Sequence, residues 1–383
     1  MEDILQVLGD EYQNTLDLEG FSNMMKNPSY CYKFYWLEAI VNLISEGVVS
    51  TTFNDIIDEM IANAWYSVVE FHIHLSGVVA GDVRDGLERA VIKLHDLSKL
   101  SSNASKLEIR NAIKEHDKEL NKVKSQLTNM VPYRALAGFF IKSDEIVNWD
   151  SIPRLVAYIQ DFDKKTARLP YVLGTSPGLK KEVFFNLSWM KMIQDNTVPI
   201  LGWIQYEKVK WLQNNNPEVP GLVYKLAPLN DKMRKLSKVR DLWTAVMTTN
   251  PIHDVFNDSV LDINEYDVDH FVPWSFVMND ELWNLMPMDS SLNSSKSNKL
   301  PKWDPFFRRF AANQFLMYEE ICDKESIRKL FEKCYKDNLH SIWANQELYR
   351  QGNSKDTFYN ILETNMRPVY ESARRQGYQL WEI

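Results

Sequence analysis

The stretch 266–301 constrains the fold more than any other part of the chain. Val268, Phe271 and Val272 are strand formers, and Pro273 ends their run. Trp283, Leu285 and Met286 form a second apolar run before Pro287. Asp289 or Ser290 can cap a short helix, which must stop before Pro301. The pattern predicts a β-β-α unit within about 35 residues.

Such a unit gathers polar groups. Asp269 and His270 are adjacent on the first strand, so their side chains leave opposite faces unless the strand bends. Asn293 sits in the helix, and Lys296 lies three residues on, close to the same face. A carboxylate and an amide oxygen are hard ligands suited to Mg²⁺. An imidazole that titrates near neutrality can take a proton from water. Together these are the minimum parts for metal-assisted phosphodiester hydrolysis.

Charge limits the partners. The 44 Lys and Arg against 52 Asp and Glu leave a net charge of −8, which argues against coating nucleic acid by bulk attraction and leaves a local site open. The balance is uneven: the first hundred residues carry about −10 and residues 151–250 about +7. Lys232, Arg234, Lys235, Lys238 and Arg240 cluster in 231–240, with Leu236, Val239, Leu242 and Trp243 behind them. An amphipathic helix with one basic face is expected. That face is either solvated or set to contact phosphates through Arg234, Lys235 and Lys238.

Cys31, Cys322 and Cys334 have no CxxC spacing, so neither a disulfide framework nor a zinc knuckle is expected. The acidic start Met1-Glu2-Asp3 is unlike a signal peptide, and no run of 18 apolar residues occurs, so a cytoplasmic protein with no membrane partner is expected. Four regions are expected: 1–130 helical, 131–250 mixed and mostly helical, 251–310 the β-β-α unit, and 311–383 helical. Within them, 85–130 reads as two helices, the second over 105–128. Segments 131–134 and 168–171 read as extended, with helices near 180–195 and 202–212. His72 and His74 alternate as on a strand, but no third ligand accompanies them. The fold class is mainly α-helical with an embedded β-β-α unit towards the C-terminus.

At 269–301 the sequence resembles the HNH, or ββα-metal, endonuclease family. It is most similar to the subgroup found in CRISPR RNA-guided DNA endonucleases and stand-alone bacterial HNH proteins. Asp-His-x-x-Pro-x-Ser-Phe stands as Asp269, His270, Pro273, Ser275 and Phe276. The middle Asn is Asn284 and the third position is Asn293, followed by Lys296, Ser297 and Pro301. The acidic residue and Asn that come next in the close subgroup are Asn298 and Lys299 here.

The resemblance implies that Asp269 and Asn293 ligate Mg²⁺ or Mn²⁺, without structural zinc. It implies that His270 is the general base, and that Asn284 holds the loop that aims it. Lys296 either binds phosphate or braces the helix against a carboxylate. The implied substrate is DNA, cut to 5′-phosphate and 3′-hydroxyl ends, and analogy offers phage defence or restriction as the setting. Two other readings stand beside this one. In the first, the chain is an effector subunit, inactive until a partner protein docks on its acidic N-terminal region. In the second, it binds nucleic acid without cutting; the complete set Asp269, His270 and Asn293 argues against that.

Overall fold

A computed structural model describes residues 8, 10–26, 28, 30–77, 84–129, 131–140, 151–166, 168–226 and 234–383. The chain divides into two compact units, 1–217 with 225–228 and 218–224 with 229–383. Helices dominate both, and each carries one small sheet. No helix among the described residues is long and apolar enough to cross a membrane.

The first unit is built on the helices Tyr32–Ser45 and Phe53–Phe71. Phe34, Leu37, Val41 and Ile44 recur at helical spacing and are buried, as are Ile56, Met60, Ala64 and Val68. The polar break between the two helices does two jobs. It forms strand β1 (Ser50–Thr52), and Thr52 also caps the second helix, its Oγ1 accepting from the Asp55 N–H while Asp55 Oδ2 accepts from the Thr52 N–H. That helix ends at His72 in the left-handed region, φ 52°, so the Phe71 to His74 segment is not a strand. His74 Nδ1 lies 3.1 Å from Glu88 Oε1, which gives this histidine a structural partner.

Strands β2 (Tyr171–Leu173) and β3 (Glu182–Phe185) join β1 in an antiparallel sheet of order β1-β3-β2. Three local expectations change here. The helix expected near 180–195 starts only at Leu187, because Val183 and Phe185 turn inward and Phe184 outward as a strand, and Asn186 then caps the helix. Val131–Arg134 is a helical turn, with Pro132 in its first positions where a missing N–H costs nothing. The helix expected over 105–128 breaks at His116 into Lys106–Glu115 and Asp117–Leu127.

In the second unit, β4 (Asp267–His270) and β5 (Leu285–Met288) form an antiparallel pair. The helix Ser290–Lys296 follows at once, so the β-β-α order holds. Helices Ser237–Thr249, Trp303–Asp323, Glu325–Asn338 and Lys355–Arg375 share one apolar core with the hairpin. Phe271 sits among Trp303, Phe307 and Phe310, with Trp303 and Phe307 stacked at 4.2 Å. Gln314 is wholly buried. Its Nε2 donates to the carbonyls of Leu282 and Leu285, and its Oε1 accepts from Tyr349. Trp283 is buried against Trp343, with centroids 5.3 Å apart, a packing role.

Candidate active site

The end of β4 positions the site. Pairing places Asp269 opposite Met286 and His270 opposite Leu285. Beyond His270 the ladder stops, and Asn284 takes over. Its backbone carbonyl accepts from the Phe271 N–H at 2.8 Å. Its side chain accepts from the Val272 N–H and donates to the Val272 carbonyl, both at 2.8 Å. Asn284 is fully buried, so losing it would strand two backbone groups at about 1–3 kcal/mol each.

His270 is also fully buried. Arg234 Nη2 lies 2.7 Å from its Nδ1. A guanidinium only donates, so Nδ1 carries the lone pair and Nε2 carries the hydrogen. Nε2 then donates to the carbonyl of Asn279 at 3.0 Å, and Asp280 Oδ1 lies 3.2 Å away. Oδ1 makes no hydrogen bond of its own, so its contact with the imidazole is electrostatic. Burial pushes the Asp280 carboxyl up, but His270 and the Lys235 N–H outweigh it and hold it below the usual carboxylate range. A basic nitrogen held towards the Arg234 side, with a carbonyl and a carboxylate behind the other, is the arrangement a general base needs.

Asp269 is on the neighbouring position of the strand and is nearly buried. Lys296 Nζ, fully buried, donates to its Oδ2 at 2.7 Å. Burial raises the Asp269 carboxyl, yet Lys296 and His270 prevail and keep it ionised well below the usual range. Asp289 caps the helix that carries Lys296, its Oδ1 accepting from the N–H groups of Ser291 and Leu292. The Asp289 N–H donates to buried Asp254 Oδ2 at 2.9 Å, which ties the helix start to the loop before β4. On the same helix, Asn293 Nδ2 donates to Asp267 Oδ2 at 3.0 Å, leaving the amide oxygen as the acceptor side.

The basic stretch differs from the expectation. The helix begins only at Ser237, so the described residues 234–240 do not form one continuous helical face. Lys232 lies outside the described residues. Arg234 precedes the helix and turns onto His270 and over the Trp274 ring, at 5.7 Å. Lys235 and Lys238 both end on Asp337, at 2.9 and 2.6 Å. Arg240 lies over the Tyr266 ring and 3.7 Å from Asp267.

The donors fit a hard divalent ion. Asp269 and Asn293 offer oxygen, and Lys296 shows that a positive charge is accommodated at the Asp269 carboxylate. No group of three or more His, Cys, Asp or Glu side chains converges among the described residues, so water would complete the shell. Asn279, Asp280, Asp254 and Asp267 were not singled out in the sequence. Asp280 is ten residues beyond His270 with no motif around it, and the others act through contacts that only folding creates.

No curated protein and no solved structure matches the chain. The family model of HNH endonucleases matches residues 252–302, so the β-β-α segment that holds Asp269, His270, Asn284 and Asn293 is an HNH endonuclease unit.

Proposed function

We propose that the protein is a divalent-metal-dependent endonuclease that hydrolyses phosphodiester bonds in DNA, with His270 as general base. The observation that carries this is the His270 geometry, with Nδ1 as an acceptor and Nε2–H held by the Asn279 carbonyl. Nδ1 takes a proton from water as its oxygen attacks phosphorus. The P–O3′ bond breaks and the departing O3′ takes a proton from solvent water, leaving a 5′-phosphate and a 3′-hydroxyl. Asp280 and the Asn279 carbonyl stabilise the imidazolium that forms. Asp269 and Asn293 would hold Mg²⁺ or Mn²⁺, which when bound would supply positive charge to the scissile phosphate. Arg234 gives up His270 for a phosphate oxygen, a stronger acceptor. Asn284 keeps the loop in place and touches no substrate.

The test is cleavage of supercoiled plasmid, linear duplex, single-stranded DNA and RNA by the purified chain, with Mg²⁺, Mn²⁺ or EDTA. His270→Ala is expected to lower the DNA rate about 10²- to 10⁴-fold. Cutting that survives this substitution refutes the assignment of the base.

One observation favours a second reading, an effector subunit switched on by a partner. Both working groups are engaged by cations: Lys296 on Asp269 and Arg234 on His270. In that case the chain alone cuts nothing, and a co-purifying protein restores cleavage. Phage defence or restriction is a setting consistent with either form.

A further inference from the structure

Within the first unit, a cavity of about 410 Å³ is walled by Tyr30, Tyr32, Lys33, Arg89, Gln126 and Arg134. That volume suits a small organic ligand. Its charge is one-sided. Three cations line it, and no carboxylate does. Lys33 and Arg134 are each half-buried and repel one another; burial first, then Arg134, pushes the Lys33 ammonium down. Neither has an ion pair or hydrogen bond among the described residues. Arg89 spends one Nη2 contact on Gln126 Oε1, at 3.2 Å, and keeps the rest of its fork.

Half-buried cations normally find a carboxylate, because desolvation without a partner costs stability. Several other cations drawn into this unit do so. Lys124 reaches Asp58 and Asp117, Lys208 reaches Glu38, and Arg110 reaches Glu46 and Glu59. At this cavity Lys33 and Arg134 face open space instead. The arrangement is one that an incoming anion would complete.

The remaining wall narrows the anion's identity. Tyr30 and Tyr32 stand with ring centroids 5.8 Å apart, tilted by 34°. Tyr30 is 56% exposed, so its face is open to a flat ring. Tyr32 is fixed, because its hydroxyl accepts from the Gly86 N–H at 2.9 Å. Gly86 permits that approach: a Cβ there would come within 3.0 Å of Leu127 and 3.4 Å of the hydroxyl. Guanidinium forks match phosphoryl oxygens two at a time, and tyrosine rings stack on bases.

We propose that this cavity binds a nucleotide, with its phosphoryl group on Lys33, Arg89 and Arg134 and its base against Tyr30. The site is separate from the HNH unit and does not depend on the reading of His270.

The experiment is calorimetric titration of the full chain with ADP, adenosine, inorganic phosphate and a 5′-phosphorylated trinucleotide. ADP or the trinucleotide is expected to bind more tightly than phosphate or adenosine, since ring and phosphoryl both count. The tighter of the two tells whether the source is a free nucleotide or a strand end. Lys33→Met with Arg134→Gln is expected to weaken that binding at least tenfold, and His270→Ala to leave it unchanged. The ligand-free double variant is expected to melt no lower than the wild type, because two like charges no longer face each other. Absence of binding for every probe at millimolar concentration overturns the proposal. So does equal affinity in the double variant, or a lower melting temperature that assigns these cations to the fold.

Discussion

Each unit buries a lysine ammonium completely, and the two settings differ in what surrounds them. Lys124 lies between Asp58 and Asp117, on helices of the first unit. Burial pushes the Asp58 carboxyl up to about 6, against the pull of Lys124. Lys296 meets Asp269 alone, at the end of a strand. There the cation prevails over burial and the carboxyl stays ionised. A buried ion pair therefore marks no site by itself. What separates the second pair is the imidazole on the adjoining residue, its basic nitrogen accepting from Arg234, and an amide oxygen one helical turn away on Asn293. The first pair has only helix to brace.

The comparison is easiest to break with methionine at both lysines. Lys124→Met is expected to cost about 1–3 kcal/mol, since it leaves the part-buried Asp58 carboxylate without its cation. Lys296→Met is expected to cost a similar amount in EDTA. Mg²⁺ or Mn²⁺ should return most of that loss for Lys296→Met and none of it for Lys124→Met, read as denaturation midpoints. Equal behaviour of the two variants towards metal would make Lys296 another structural brace.

Asp280→Asn comes next in size. The carboxylate behind His270 is lost while the Asn279 carbonyl stays, so cleavage is expected to slow about ten- to a hundredfold with little change in melting temperature. A matched loss of stability would move Asp280 from catalysis to folding. Smaller still are the basic residues. Arg234→Ala is expected to lower the salt slope of DNA binding by about 1, whereas Lys235→Ala and Lys238→Ala should lower it by less, because both are spent on Asp337. The smallest effect lies at Asp337 itself, which Lys235 and Lys238 hold down to about 2. A depressed carboxyl stabilises above its unfolded pKa of about 3.9 and loses that contribution as pH falls towards about 2. Comparing the urea midpoints of the wild type and Asp337→Asn should show the gap closing over that window.

The second unit's hairpin and helix were legible because they are contiguous. Strand formers, prolines and a cap residue fall within one short stretch, and local rules suffice there. The other sheet was not legible. Its three strands have three or four residues each, and β1 meets β3 across more than a hundred residues of chain. Such strands exist only because a partner edge is available. The basic stretch departs from a single helix face for a related reason. Its residues have the composition of a helix face, but Arg234 is drawn to His270, 36 positions on, and Lys235 to Asp337, 102 positions on. Charge patterning shows which residues are cationic and not which anion each will find.

The buried Gln314 sets a limit on modularity. The family match ends at residue 302, yet the carbonyls of Leu282 and Leu285 are held from a helix beyond it. The Leu300 carbonyl accepts from Trp381, almost at the end of the chain. The inherited cassette is thus shorter than the folding cassette. A graft of this nuclease into another scaffold has to carry the chain through Trp381, or supply its own partner for each orphaned carbonyl.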